Sequence, residues 1–274
     1  MNDDFPFQNT FPETKLAVNA AIESGRAVMN IYRQDFISRL KDDSEPVTEA
    51  DIISNDIIRK TLSPLGYLIL SEESVDDKNR LKQKKIWVVD PLDGTSDFVN
   101  KTGEFTIMIS FVEDQKPILG VIFSPSSNEL FVSQKDQGSY HLKEDRWSKI
   151  KVSDVSDLRK CRAVGSRFHA STSEEVILEK IGVAKFSPRG SSLKVIDICL
   201  GRAELYLTTT DKMKQWDTCA SHSIVTEAGG KMSDLFGNEL FYNENILNHQ
   251  NGLLVTNGKI HNQVLKILNE LKTR

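Results

Sequence analysis

The segment IWVVDPLDGT (residues 86–95) runs from an apolar strand directly into a turn that carries two carboxylates. Proline stiffens this turn, so both carboxylates and the Leu92 carbonyl are expected to face one point. Gly94 lets the backbone approach a ligand closely, and Thr95 begins a short helical segment whose free N–H groups can hold a phosphate. The segment therefore predicts a site for a phosphorylated ligand with a cation beside it.

Other acids also stand where one structural element passes into the next. Glu72 and Glu73 follow a short apolar strand at 67–70, and Asp217 lies near the start of a helical pattern at 216–228. Carboxylates beside buried segments are costly unless a cation compensates their charge. Oxygen ligands without histidine or cysteine favour Mg²⁺, Mn²⁺ or Ca²⁺ over zinc. Each motif alone is compatible with a solvated loop, a capped helix or a Ca²⁺ turn, but their combination favours two-metal phosphoryl hydrolysis.

Hydrophobic periodicity predicts an α/β or α+β mix. Helices are predicted at 13–33, 49–62, 173–181, 191–201, 216–228 and 258–272, and strands at 67–70, 86–89, 105–112, 117–124, 129–133, 161–165, 183–187, 203–207 and 253–256. The consecutive strands from 105 to 133 indicate an antiparallel meander, and residues 74–85 are expected to be polar and mobile. A charged stretch at 143–158 suggests two halves, 1–150 with the large sheet and most metal-binding motifs, and 151–274 with substrate-recognition segments and the last acid.

Composition narrows the possible partners. The chain of 274 residues has 35 basic and 39 acidic residues and a net charge of −4, which gives no footprint for a nucleic acid polymer or an anionic membrane. No apolar run approaches the roughly 20 residues of a membrane span, and the acidic N-terminus has no apolar leader segment. Three dispersed cysteines argue against a disulfide scaffold. We expect a cytoplasmic protein without stable membrane insertion; peripheral association with the inner membrane face stays open.

Four motifs together resemble the inositol monophosphatase superfamily of Mg²⁺-dependent, lithium-sensitive phosphatases. They are PVTEAD (46–51), LSEES (70–74), WVVDPLDGTSDF (87–98) and WDTCASHSIVTEAGG (216–230). The match follows the family's order over nearly the whole chain. It implies a five-layered αβαβα sandwich.

The resemblance also implies roles for individual residues. Gly94 and Thr95 would bind the phosphate through their backbone N–H groups, and the Thr95 hydroxyl paired with Asp51 would activate the attacking water. Asp51 has a second interpretation, as an acid that caps its own helix. Glu73 would lie near the metals, either behind the ligands or on a third ion. The ligands of two or three Mg²⁺ ions would be Glu72 (also catalytic), Asp90, the Leu92 carbonyl, Asp93 and Asp217 (also substrate-binding).

Within the superfamily, the chain is similar to the bisphosphate nucleotidases. The similarity lies in LSEE (70–73), GEFT (103–106), SRFH (166–169) and GSSLK (190–194). It implies release of the 3'-phosphate from 3'-phosphoadenosine 5'-phosphate to leave AMP, a reaction of sulfur metabolism. The proposed small-molecule substrate is therefore a nucleotide.

The second phosphate of such a substrate needs donors other than the metals. Ser191, Ser192 and Lys194 at a helix start would supply them, because hydroxyls, free N–H groups and a cation meet there. His169 or Arg167 could add contacts from the preceding loop, and a simple capped helix is the alternative for GSSLK.

One position departs from this branch, which carries an arginine just after the strand at 203–207. Thr208, Thr209 and Thr210 follow the strand here, and Lys212 or Lys214 is the nearest possible substitute. A lysine lacks the bidentate fork of an arginine. The departure keeps an inositol or sugar monophosphatase open as the alternative. A degenerate non-catalytic binder and a structural Ca²⁺ site are the interpretations from other classes, and monomer and homodimer are equally compatible with the sequence.

Overall fold

The computed structural model describes residues 5–40, 46–168 and 171–272. Within these ranges the helices are α1 (Pro12–Tyr32), α2 (Glu49–Leu62), α3 (Thr95–Val99), α4 (Thr172–Ile181), α5 (Leu193–Cys199), α6 (Gln215–Glu227) and α7 (His261–Lys272). The strands are β1 (Ser38–Leu40), β2 (Pro46–Thr48), β3 (Leu68–Ser71), β4 (Lys85–Asp93), β5 (Thr106–Glu113), β6 (Lys116–Ser124), β7 (Glu129–Gln134), β8 (Gly138–Lys143), β9 (Arg146–Ile150), β10 (Arg162–Ser166), β11 (Lys185–Arg189), β12 (Leu205–Thr208), β13 (Lys231–Ser233) and β14 (Leu253–Thr256).

These elements stack in five layers. A seven-stranded sheet runs in the order β3-β4-β5-β6-β7-β8-β9, and a five-stranded sheet in the order β11-β10-β12-β14-β13. Helices α1 and α2 cover the outer face of the larger sheet, α5 and α6 lie between the sheets, and α4 and α7 cover the outer face of the smaller sheet. The predicted mixed fold class and the αβαβα layering are confirmed.

Strand β4 shows why the larger sheet needs cover on both faces. Trp87 and Val89 point into the core beneath α1 and α2, whereas Ile86 and Val88 point into the core between the sheets. Side chains alternate across a strand, so a strand buried on both faces is apolar at every position. Each large side chain buried in this way stabilises the fold by about 1.5–3 kcal/mol.

The segment 74–85, which was expected to be polar and mobile, contains a short helix. Residues Lys78–Lys82 form a 3₁₀ helix, and the Arg80 side chain within it is 1% exposed. The segment is polar because most of it is exposed. The hydrogen bonds from Asn243 and Glu244 that help to satisfy the buried Arg80 come from distant parts of the chain, which the local pattern does not reveal.

Five strands were not predicted: β1, β2, β8, β9 and β13. β9 at the sheet edge is mostly exposed and therefore lacks apolar alternation, and β8 and the three-residue β13 give little periodic signal. Helix α5 begins at Leu193 instead of residue 191, because Ser191 has a left-handed φ of 48°.

The larger sheet ends with β9 and the smaller sheet begins with β10, but α6 packs against both sheets. The division into 1–150 and 151–274 stays a prediction. All three cysteines are buried and free. Among the helices of the described ranges, none combines the length and apolar character needed to cross a bilayer.

Candidate active site

A β-bulge shapes the end of β4. The pairing with β5 shifts between Asp90, opposite Met108, and Asp93, opposite Thr106. Pro91 has no N–H to donate to the ladder, and its carbonyl accepts a hydrogen bond from the Ser54 hydroxyl at 2.7 Å. A bulge bends its strand and re-aims the side chains next to it. The two acids of the segment therefore leave the regular pattern of the sheet at its end.

Glycine is required immediately after this bulge. Gly94 has a φ of 90°, and a Cβ there would lie 3.0 Å from the Ser191 Cβ and 3.1 Å from the Glu104 carbonyl. A side chain would be strained by the backbone conformation and would also meet the loop before α5. Thr95 then begins α3, as predicted.

Three carboxylates converge at the carboxyl end of β4. Oxygens of Glu72, Asp90 and Asp217 all lie within 4.8 Å of one another. Glu72 follows β3, which is parallel to β4, and its N–H donates to the Val89 carbonyl at 3.3 Å. Asp217 stands in the first turn of α6, where its Oδ2 accepts the Lys214 N–H at 2.8 Å. Burial, and then the charges of Glu72, Asp93 and Asp217, raise the pKa of Asp90 well above its ordinary value.

Asp93 lies beside this group but outside the set of three. Its Oδ2 accepts the Ser192 N–H and lies 3.3 Å from the Thr106 hydroxyl. Burial raises its pKa, although the Lys194 ammonium and the Ser192 hydrogen bonds oppose the shift. The expected free N–H at Ser192 is therefore occupied by Asp93. The Leu92 carbonyl accepts the Thr95 hydroxyl at 3.1 Å.

Asp51 makes contacts that correspond to both of its interpretations, and its catalytic role stays a prediction. Oδ2 accepts the Thr48 N–H at 2.7 Å and so closes a capping box at the start of α2. Oδ1 lies 3.1 Å from the Thr95 hydroxyl. Burial raises the pKa of Asp51 to about 6, against the lowering effect of the Thr48 hydrogen bonds, and the charge of Glu73 adds to the increase.

A pocket of about 560 Å³ joins these groups to the second sheet. Lys194 lines it with its ammonium 5.5 Å from the centre of the Tyr206 ring, and burial lowers the Lys194 pKa against the pull of nearby acids. The other predicted residues in the lining are Glu72, Asp90, Leu92, Asp93, Gly94, Thr95, Ser191, Ser192, Thr208, Thr209, Thr210, Lys212 and Asp217.

Arg167 contacts the protein itself. Its guanidinium donates to Glu104 at 2.7 Å, and Glu104 also accepts Arg189 at 2.6 Å and the Gly190 N–H at 2.7 Å. Glu104 thus holds the loop before α5 against the segment after α3, a role that the sequence did not reveal. His169 lies outside the described residues.

A carboxylate contacts the end of β12, the sequence position at which the resemblance implies an arginine. Glu174, which is 7% exposed, accepts the Thr208 hydroxyl at 2.7 Å and the Thr209 N–H at 2.9 Å. It belongs to the capping box of α4 with Ser171, so the pattern Ser-x-x-Glu was the available sequence signal. Lys212 is exposed at the pocket, and Lys214 lies with its ammonium 5.4 Å from the Trp216 ring centre.

The donor set suits a hard divalent cation. The converging groups are carboxylate oxygens, and the charges of Glu72 and Asp217 help to raise the pKa of Asp90; a cation would relieve the same repulsion. The fold and the pocket define a class: a layered α/β protein with a carboxylate site able to hold a metal ion.

The chain belongs to the inositol monophosphatase family, whose model matches residues 11–273. It is 38% identical to the 3'(2'),5'-bisphosphate nucleotidase CysQ of Buchnera aphidicola over 81% of this chain and 84% of that protein. It is 33% identical to the CysQ protein of Escherichia coli, over 81% of this chain and 90% of that protein.

Solved structures agree with this assignment. CysQ from Bacteroides thetaiotaomicron, a bacterial member of the same family, superimposes with a TM-score of 0.78 at 27% identity, covering 91% of this chain and 99% of that one. An inositol monophosphatase of Thermotoga maritima gives a TM-score of 0.80 at 24% identity, over 94% and 97% of the two chains, and shows the shared fold.

Proposed function

We propose that this protein is a Mg²⁺-dependent 3'(2'),5'-bisphosphate nucleotidase that converts 3'-phosphoadenosine 5'-phosphate into AMP and phosphate. The observation that carries the chemistry is the convergence of Glu72, Asp90 and Asp217 beside the Thr95–Asp51 pair. The substrate class is supported by the curated relatives, which are named for this activity at 31–38% identity.

The proposed metal ligands are Glu72, Asp90, the Leu92 carbonyl, Asp93 and Asp217, for two or three Mg²⁺ ions. Bound there, the ions would supply Lewis-acid stabilisation of the charge on the phosphate oxygens. Glu73 lies close enough to Asp51 to raise its pKa, and it is proposed to act behind these ligands or on a third ion.

Thr95 and Asp51 are proposed to move the proton of the attacking water. The Thr95 oxygen accepts a proton from water as its own proton passes to Asp51, 3.1 Å away. The water oxygen bonds to phosphorus while the bond from phosphorus to the ribose 3'-oxygen breaks, and that oxygen takes up a proton from solvent. A general base works best with a pKa near the working pH, and burial raises the Asp51 pKa to about 6.

The two phosphates of the substrate are proposed to be held by different groups of the pocket. The Gly94 and Thr95 N–H groups hold the reacting phosphate, and Asp217 contacts the substrate beside it. Ser191 and Lys194, both in the pocket lining, hold the remote phosphate. His169 is proposed to add a contact there. Glu174 takes no phosphate, because its carboxylate would repel it; it holds the Thr208 strand end in place instead.

A comparison of substrates tests this function. We expect kcat/KM for 3'-phosphoadenosine 5'-phosphate to exceed that for inositol 1-phosphate at least about 100-fold, the effect of losing one charge-assisted phosphate contact. Equal or reversed preference would instead identify a sugar or inositol monophosphatase. Asp90→Asn, assayed in parallel, should hydrolyse neither substrate; equal slow turnover by wild type and variant would indicate a non-catalytic binder.

A further inference from the structure

A buried arginine lies in the segment that follows Glu72. Arg80 donates to both carboxylate oxygens of Asp76, at 2.6 Å and 2.9 Å. It also donates to Asn243 Oδ1 and to the Glu244 carbonyl, both at 3.0 Å. Nε and both terminal nitrogens of the guanidinium are therefore hydrogen-bonded inside the protein. A buried charge is tolerated when it is paired and hydrogen-bonded in this way.

Asn243 extends this contact to helix α6. Its side-chain amide donates to the carbonyls of Arg80 and Gln83, at 3.0 Å each, and its backbone N–H donates to Gln215 Oε1 at 2.7 Å. Gln215 is the first residue of α6, and its amide donates onward to the Ile246 carbonyl at 2.9 Å. The hydrogen bonds thus form a continuous path from Asp76 to the start of α6.

This path joins the two elements that carry Glu72 and Asp217. Asp76 stands four residues after Glu72, and Gln215 stands two residues before Asp217. The two carboxylates come from distant parts of the chain, and like charges at their separation repel. Their convergence therefore depends on other contacts, and the Arg80 network is a direct link between the two elements.

We propose that Arg80 is a positioning residue for the metal centre: its network fixes Glu72 relative to Asp217 and thereby sets the affinity for the divalent cation. The inference rests on the proposed function, which makes both carboxylates metal ligands. Partners that orient metal ligands typically change metal affinity by about 10- to 100-fold when they are lost.

Two variants break the network in different ways. Arg80→Lys keeps the positive charge but loses the planar fork that binds Asp76 with two hydrogen bonds. Asn243→Gly removes the linking amide, and it suits the backbone because Asn243 has a left-handed φ of 62°. The thermal midpoint is measured against Mg²⁺ concentration, together with kcat at saturating Mg²⁺. We expect the Mg²⁺ concentration that gives half of the thermal shift to rise at least about tenfold in both variants, with kcat within about threefold of wild type.

Arg162→Lys is the matched control. Arg162 pairs with the fully buried Glu204 and donates to the Gly201 carbonyl at 2.7 Å, all within the second half of the chain. This control should lower the thermal midpoint without changing half-saturation by Mg²⁺.

The outcomes separate the two proposals. A wild-type protein whose thermal midpoint ignores Mg²⁺ would overturn the ligand assignment itself. A wild-type protein that responds, with both network variants half-saturating at the wild-type concentration, would overturn the role of Arg80 and leave the ligands in place. If Arg80→Lys does not fold, Asn243→Gly decides alone.

Discussion

Replacing Asp90 by asparagine is expected to stabilise the metal-free protein and to abolish its response to Mg²⁺. Oxygens of Glu72, Asp90 and Asp217 lie within 4.8 Å of one another. At an effective dielectric constant of about 20, two like unit charges about 5 Å apart repel by about 3 kcal/mol. Asp90→Asn removes two of the three repulsive pairs of carboxylates. The asparagine amide oxygen can still accept the Leu92 N–H, which lies 3.0 Å from Asp90 Oδ1 in the wild type.

The net gain in unfolding free energy is smaller than the summed repulsion of the two carboxylate pairs that are removed. Burial and the neighbouring carboxylates raise the Asp90 pKa well above its ordinary value, so protonation already relieves part of the repulsion. We expect the free energy of unfolding in EDTA at pH 8 to rise by about 2–4 kcal/mol, or roughly 3–7 °C in Tm for a chain of this size. Thermal unfolding in EDTA and across a Mg²⁺ titration measures both effects.

Asp234→Asn is a control with the opposite sign. Asp234 is buried and accepts the N–H groups of Phe236 and Asn238 at 2.9 Å and 2.8 Å, and the side-chain amide of Asn251 at 3.0 Å. This variant should lose about 1–3 kcal/mol of unfolding free energy and keep the rise of Tm with Mg²⁺. A Tm for Asp90→Asn in EDTA at or below wild type would refute the repulsion argument, and a wild-type Mg²⁺ response would refute Asp90 as a ligand.

Lys194→Gln should raise KM for 3'-phosphoadenosine 5'-phosphate about tenfold more than it raises KM for 3'-AMP, because 3'-AMP lacks the remote phosphate. Equal losses on both substrates would contradict this placement. Thr95→Val should lower kcat by about 10²–10⁴ through loss of the proton relay, while the Mg²⁺-dependent thermal shift persists. His261 is buried between the hydroxyls of Ser233 and Thr256, and burial lowers its pKa to about 4. As pH falls, the imidazole is therefore protonated in the unfolded chain before it is protonated in the folded protein. Between pH 7 and pH 5 wild type should therefore lose about 2 kcal/mol of unfolding free energy that His261→Gln retains, and urea titrations at the two pH values will show whether the difference exists.

The sequence predicted what local patterns encode. Helix α2 and strand β14 have the predicted bounds because apolar periodicity and capping act over a few neighbouring residues. The pairing of Thr95 with Asp51 was implied by the family resemblance instead, and the two side chains lie 3.1 Å apart. Elements with little periodic signal, such as the exposed edge strand β9, escaped this reasoning.

Residues whose partners are distant in sequence could not be predicted. Arg80 is one more charge in a polar stretch until the fold brings Asn243 beside it. Glu174 is a helix-capping acid until the strand end at Thr208 reaches it. In both cases the decisive interaction spans many residues, and no local pattern records it.

Contacts between residues distant in sequence also join the DPLDGT segment (90–95), called the metal loop, to the loop before α5 that carries Ser191. Asp93 accepts the Ser192 N–H, so a carboxylate of the metal loop also holds the loop that carries the proposed phosphate donors. A Cβ added at Gly94 would lie only 3.0 Å from the Ser191 Cβ, so the two loops are in direct contact as well. We therefore expect a shift of the DPLDGT segment to move Ser191 and Lys194, and binding of the proposed remote phosphate to change the geometry of the acids. Under the proposed function, substrate discrimination and hydrolysis should therefore respond together to a change at either contact, Asp93 with Ser192 or Gly94 with Ser191.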